Sequence, residues 1–530
     1  MSPKAISLRA VLNIKGCRLL GLAGSAVLAL GSIGGAGALP VQDVMRPSAE
    51  HPALGLFLSY FGLVLLIGAW WCLGRLVSGG AGARPTPREL QFTLVIWGVP
   101  LVLAPPLFSR DIYSYLAQGA MVNAHMDVYS MGPDHLGGPL VANVEPMWRA
   151  SPAPYGPVFL GLARLLEPGG LLGMRILALV GVALMVVFLP VLARRCGVDP
   201  SAAIWLGGLN PLVLQHLIGG AHNDAVMLGL LGAGLLAALS GSRRGAPDGG
   251  GLEEPGSAWG LARPRVPAGF WRFGNAWRLR RPGEPGKQDA PRTQGYTVGW
   301  PVAAAVLVTL AALVKAPAAL GLVAVGSLWS ARLTGRWRAV RAVLATTAVA
   351  LLVTAVVTAL TGTGYGWISA LGTPVSAHNW APMAALGRVT GRMLADAGSS
   401  LAPLVVDFWR MVGLGATAVI AALAWWHRAR LGSVYALGVS LAAAAVLAPA
   451  IRPWYMLWGL FLIAAAAPPG RTRRWTAAAS GVLALVVLPS GSAADATQLK
   501  IAVAGGALAA LAALCLLGLD MRARSVHTAS

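Results

Sequence analysis

The chain runs to 530 residues, of which 56% are apolar and only 11% are charged. Soluble domains carry about a quarter charged residues, so an ordinary soluble enzyme is excluded and a polytopic membrane protein is expected. The formal net charge of +22 is spread over short Lys and Arg clusters between apolar runs. Positive-inside asymmetry produces that arrangement, whereas a nucleic-acid face would concentrate the charge, so no nucleic-acid partner is expected.

Apolar runs of bilayer length, with Lys and Arg assigned to the inner side, give a map in which every span must reverse the side. The N-terminus carries Lys4, Arg9, Lys15 and Arg18 ahead of an apolar run over 19–39. This resembles a signal peptide with a small-residue site at Ala36-Gly37-Ala38, but the run has the length of a full span and an uncleaved first helix is favoured. A second span over 52–74 returns to Arg75, Arg84 and Arg88, and a third over 90–107 leads out. Trp70-Trp71, and later Trp425-Trp426, fit anchors at the bilayer interface.

Residues 108–170 form a long polar loop in which Asp111, Asp127, Asp134, Glu145 and Glu167 face Arg110, Arg149 and Arg164, and the parity places it outside. It opens Phe108-Ser109-Arg110-Asp111-Ile112-Tyr113-Ser114-Tyr115 and includes Pro152-Ala153-Pro154-Tyr155-Gly156-Pro157, with 153–166 allowed as a re-entrant or interfacial helix. A carboxylate beside Arg and Tyr at a membrane surface is costly unless it has a task. The plainer alternatives for Asp111 are a pair with Arg110 or a cap for the helix beginning at Ile112.

Spans over 171–193, 199–217 and 225–240 follow. They put Arg194-Arg195 inside and His222-Asn223-Asp224 in a tight outer turn, on the same side as Asp111. Residues 241–298, rich in Gly, Pro and Arg and without apolar periodicity, read as a disordered, basic cytoplasmic insertion between an N-terminal membrane region (1–240) and a C-terminal one (299–530).

The apolar block 300–330 must return to the side it left, because the next connection (Arg332, Arg336, Arg338, Arg341) is again basic. Pro317 in Val314-Lys315-Ala316-Pro317 supplies the break, lacking an N–H and biasing Ala316 away from helix. Two short helices then meet near Lys315 towards the outer side. Span 342–361 leads to a second outer loop, 362–400, with Tyr365, Trp367, His378, Asn379, Trp380 and Arg388. Spans over 401–424 and 432–450 bracket an inner turn, Arg452-Pro453-Trp454-Tyr455 lies outside, and three further spans end at Arg522 and Arg524. The expected fold is therefore all-α, a bundle of about fourteen spans with both termini cytoplasmic.

Four separated segments thus bring ionisable and aromatic groups to one face, where a carboxylate base, cations for a lipid-linked phosphate and rings for sugar or polyprenyl would suit group transfer. Turn chemistry is the alternative for His222-Asn223-Asp224, snorkelling for Lys315, and interfacial anchoring for Arg452. No nucleotide-binding glycine motif, zinc signature or G-x-S-x-G is present. The four cysteines, Cys17, Cys72, Cys196 and Cys515, have no C-x-x-C spacing and imply neither disulfides nor a thiolate site. No cofactor is called for. A divalent ion would need Asp111, Asp224 and His222 to converge, which their spacing does not establish.

These motifs, with Asn210-Pro211-Leu212, make the chain resemble C-type glycosyltransferases that use polyprenyl-phosphate sugars. More narrowly it is similar to actinobacterial polyprenol-phosphate-mannose-dependent alpha-1,6-mannosyltransferases. The resemblance implies a multi-pass plasma-membrane enzyme with an extracytoplasmic site. It implies an outer-leaflet polyprenyl-phosphate mannose donor, a glycan or glycolipid acceptor, and an inverting displacement with Asp111 as base. On that reading Arg110, Lys315 and Arg452 are candidates for the donor phosphate. Tyr113, Tyr155, His222, Asn223, Asp224, His378, Trp454 and Tyr455 are candidates for binding substrate. Another lipid-linked sugar, or a transporter or lipid flippase, is the competing reading; a transporter would hold its ionisable groups at the bilayer midplane between internal repeats, and no convincing repeat is seen here.

Overall fold

The computed structural model describes residues 13–33, 52–79, 84–240, 299–370, 381–447, 452–486 and 496–527. Among these, helices account for the architecture and no strand is found. The N-terminal region comprises α1 (Ile14–Gly31), α2 (Pro52–Ser78), α3 (Pro87–Leu103), α4 (Asp111–Asn123), α5 (Gly138–Asn143), α6 (Pro146–Arg149), α7 (Pro157–Leu166), α8 (Gly170–Arg195), α9 (Pro200–Ala203) and α10 (Asp224–Ser240). The C-terminal region comprises α11 (Gly299–Val314), α12 (Leu320–Ser330), α13 (Arg338–Thr361), α14 (Trp367–Ala370), α15 (Pro382–Asp396), α16 (Val405–Trp426), α17 (Arg428–Leu431), α18 (Ser433–Leu447), α19 (Met456–Ala466), α20 (Arg471–Leu485) and α21 (Ala496–His527).

Among the described residues, five helical runs are long and apolar enough to cross a membrane: Ile14–Gly31, Ala53–Ser78, Pro157–Arg195, Arg338–Thr361 and Ala402–Trp426. A pair bent by 62°, Pro200–Gly208 with Val213–Gly219, adds a sixth. Shorter apolar helices, α10, α11, α18 and the Ala316–Ser330 and Pro453–Ala466 runs among them, complete an all-helical architecture of membrane-protein character.

Local sequence explains where the helices stop. The Thr86 hydroxyl accepts from the Glu89 amide at 3.3 Å, and the Glu89 carboxylate accepts from the Thr86 amide at 2.8 Å. This reciprocal box opens α3, and Pro105-Pro106 lies just beyond its end. Buried Arg175 of α8 donates to the carbonyls of Leu101, Val102 and Ala104. It thereby satisfies the orphan carbonyls of the α3 terminus and fixes the segment that leads into Phe108–Asp111.

Several expectations change. Residues 108–170 are not an open loop: α4 to α7 fold within them, α7 taking up the helix allowed over 153–166 and packing on α4. The span expected over 199–217 is two π-helical pieces meeting at Asn210-Pro211, because Pro211 has no N–H to continue the ladder. Trp70 is no interfacial anchor. It is fully buried and stacks on Trp205 with centroids 5.0 Å apart, each indole N–H donating to the other's backbone carbonyl at 2.9 and 2.8 Å. Trp71 and Trp426 are the exposed members of the two pairs. The break at Lys315 is as expected, with α11 ending at Val314 and a short 3-10 turn over Ala316–Ala319 leading into α12. Residues Ala36–Ala38, 241–298 and His378 lie outside the described residues.

Candidate active site

Asp111 is the first residue of α4, and its side chain is 21% exposed. Neither plain alternative holds. Arg110 turns away and donates to the Asn143 carbonyl at 3.2 Å, its guanidinium lying 5.9 Å from the Tyr113 ring. The α4 N-terminus has no side-chain cap; the Ser109 hydroxyl accepts from the Asp111 amide at 3.1 Å.

Across from it stands His222, fully buried, with Nδ1 3.5 Å from Asp111 Oδ2 and 3.3 Å from the Tyr115 hydroxyl. The hydrogen bond at Nδ1 is the one to Tyr115, while Asp111 lies at a distance that becomes an ion pair when the ring is protonated. Phe108 and Ala221 are left-handed, at φ 57° and 53°, a costly conformation outside glycine. One precedes Ser109-Arg110-Asp111 and the other directly precedes His222, so both approach segments are bent sharply towards the contact.

Asp224 opens α10 and is fully buried. Its two oxygens are both taken, Oδ2 by the Lys315 ammonium at 2.8 Å and Oδ1 by the Trp458 indole N–H at 2.5 Å. The break between α11 and α12 therefore delivers a cation to a carboxylate distant in sequence. Lys315 also lies 4.7 Å from the Tyr455 ring, 5.6 Å from Trp458 and 5.9 Å from Tyr155, so it sits in a box of aromatic faces. No three His, Cys, Asp or Glu side chains among the described residues, Asp111, Asp224 and His222 included, group as metal ligands.

The remaining wall is aromatic. Trp454 stacks on His222 with centroids 4.1 Å apart, and Tyr455 on Trp458 at 4.3 Å. Tyr155 meets Tyr115 and Phe159 edge-on at 5.5 and 4.9 Å. Gly156 presses against α11 so closely that a Cβ there would lie 2.4 Å from the Leu313 carbonyl oxygen, which seats the Pro152–Pro157 segment beside Lys315. Arg452 lies 5.9 Å from both the Trp148 and Trp454 rings and 3.8 Å from the Met147 sulfur. Asn223 is buried, and neither its amide nor His222 Nε2 nor Trp454 Nε1 has a hydrogen-bond partner among the described residues.

The expected residues Asp111, Tyr155, His222, Asp224, Lys315, Trp454 and Tyr455 thus form one contact network. Asn223 lies between two of its members in the chain, and Arg110, Tyr113 and Arg452 stand at its edge. Sequence reasoning missed Tyr115, Trp458, His216 and Glu145. Tyr115 is four residues after Asp111 and Trp458 four after Trp454, a spacing that shares a helix face. His216 is an ionisable group in an apolar run, a signal in itself, and its ring lies 5.0 Å from that of Trp454. Glu145 is half-buried in the segment between α5 and α6. Desolvation raises its carboxyl above the ordinary value, with Arg110 pulling it back and Asp111 pushing it further up.

Residues 18–331 match the family model described as "Alpha-(1->6)-mannopyranosyltransferase, N-terminal domain", and residues 383–517 match "MptB C-terminal domain". The chain is 34% identical to a Mycolicibacterium smegmatis protein named "Probable alpha-(1->6)-mannopyranosyltransferase", over 87% of this chain and 80% of that one. It is 33% identical to an alpha-(1->6)-mannopyranosyltransferase of Mycobacterium tuberculosis, over 86% and 79%. It is 32% identical to alpha-(1->6)-mannopyranosyltransferase B of Corynebacterium glutamicum, over 90% and 77%. No solved structure matches. The first family model alone spans more than half of the sequence and takes in Asp111, Tyr155, His222, Asp224 and Lys315, so the chain belongs to the alpha-(1->6)-mannopyranosyltransferase family.

Proposed function

We propose that this protein transfers mannose from a polyprenyl-phosphate carrier to a glycan or glycolipid acceptor, forming alpha-1,6 linkages, at the outer face of the plasma membrane. The contact between Asp111 and His222 carries this reading. A partly exposed carboxylate at a helix start, held by a buried imidazole, suits a general base for a hydroxyl proton. The names of the relatives supply mannose and the linkage. The polyprenyl-phosphate donor and inversion are proposed on the resemblance of the motifs and on the chemistry available.

In the proposed reaction Asp111 accepts the proton of the acceptor hydroxyl as that oxygen attacks the anomeric carbon. The bond from that carbon to the carrier phosphate breaks, and the phosphate leaves as an anion. Arg452 and Arg110 stabilise the developing charge, and Lys315, its own charge shared with Asp224, adds to the positive field. Trp454, Tyr455 and Tyr155 offer ring faces to the sugar, and the unpaired Asn223 amide and Trp454 N–H offer hydrogen bonds of the kind sugar hydroxyls complete. The proposed topology is about fourteen spans with both ends and the 241–298 insertion cytoplasmic. It places Asp111, His222 and Arg452 on the outer side.

The test is transfer of label from polyprenyl-phosphate mannose to membrane acceptors by purified protein, without nucleotide sugar, beside Asp111→Asn. Transfer by the parent and none by the folded variant is expected. Turnover retained by Asp111→Asn removes the base assignment, and transfer only from another lipid-linked sugar removes mannose.

A further inference from the structure

A cavity of about 750 Å³ opens between the Val122–Ser130 segment and the turn that follows α13. Its volume falls within the roughly 300–1,000 Å³ of small-molecule sites. It is separate from the Asp111 cluster but shares a wall with it. Tyr129 lines the cavity and donates its hydroxyl to the Tyr155 carbonyl at 3.0 Å. The Tyr155 ring in turn abuts Tyr115, whose hydroxyl reaches His222 beside Asp111. The far wall is held tightly, since a Cβ on Gly366 would lie 2.4 Å from the Tyr129 Cβ.

The lining sets the chemistry of the occupant. Asp127 and Arg164 oppose one another in charge, Thr361 and Thr363 present hydroxyls 3.1 Å apart, and Tyr365 is 54% exposed. An anion would meet a carboxylate as well as a guanidinium, and an acyl chain would meet hydroxyls and bare glycine backbone. A neutral polyhydroxylated ligand meets donors, acceptors and aromatic faces, the set that carbohydrate recognition uses. We propose that this cavity is a distal subsite for the already polymerised part of the acceptor, a neutral alpha-linked oligosaccharide whose growing end reaches Asp111 past the Tyr129–Tyr155 wall. The inference rests on the proposed function for the identity of the sugar.

Two readouts separate it from that reading. In transfer assays with a mannose disaccharide and longer alpha-1,6 oligomers, the parent has a lower KM for the longer acceptors. Replacing the exposed ring in Tyr365→Ala raises that KM by about tenfold while the disaccharide and donor values stay within about twofold. Calorimetric titration of the oligomers into Asp111→Asn protein without donor shows binding, weakened by Tyr365→Ala and by Asp127→Asn. A KM independent of acceptor length, an equal effect of Tyr365→Ala at all lengths, or no oligomer binding overturns the subsite. Oligomer binding together with no mannose transfer by the parent protein overturns the proposed reaction and leaves the subsite standing.

Discussion

Lys315 and Asp224, 91 residues apart, meet in a buried 2.8 Å ion pair whose carboxylate is also bonded to Trp458. Removing one partner strands the other charge away from water, which costs about 3–5 kcal/mol, whereas replacing both with apolar residues is often neutral. Lys315→Met and Asp224→Leu are each expected to lower the unfolding temperature in detergent. The double variant should recover most of that loss while transfer stays impaired. Singles as stable as the parent would mean that the pair does not support the fold.

His222 holds Asp111 by position. His222→Ala is expected to lower kcat by about a hundredfold, the scale of an acid–base contribution, with donor KM little changed. Tyr115→Phe removes only the competing hydroxyl and is expected to cost far less. Steady-state kinetics on both variants checks the order; equal losses would assign the effect to packing.

Much of this arrangement was legible because its signals are local. Pro317 after Lys315 marks the helix break by its missing N–H, and His222-Asn223-Asp224 marks a helix start. Within 108–170 the helix from Ile112 and the one over 153–166 were legible, but α5 and α6, at 6 and 4 residues, are too short for a periodic apolar signal. The role of Trp70 depends on a partner 135 positions away, which no window of sequence contains. Asp224 read as a candidate for binding substrate, and its buried partners Lys315 and Trp458 come from tertiary packing that no sequence window contains.

Arg452 lies beside two indole rings and the Met147 sulfur, a setting that orients a guanidinium towards a planar, bidentate anion. Arg452→Ala is expected to raise the donor KM by about 10- to 100-fold, in line with the loss of a charge-assisted hydrogen bond. Arg452→Lys restores the charge without the fork and should recover only part of it. Full recovery by Lys would show that charge alone is read there.

Glu145 supplies the pH dependence. Burial lifts its carboxyl above the ordinary 4.5, against the pull of Arg110 and Arg452. Above the raised value it is anionic and competes with a donor phosphate for those two arginines. As pH falls through that value it becomes neutral and releases them. Donor KM is therefore expected to fall as the assay is acidified through this window, before the phosphate itself is protonated. Glu145→Gln, neutral at every pH, should show the low KM throughout and a flat profile. A parent profile already flat, or one that Glu145→Gln leaves sloping, would place the competing charge elsewhere. Because Glu145 also feels the Asp111 carboxylate, kcat must be followed separately: a change confined to KM locates the effect at the arginines, and a change in kcat locates it at the base.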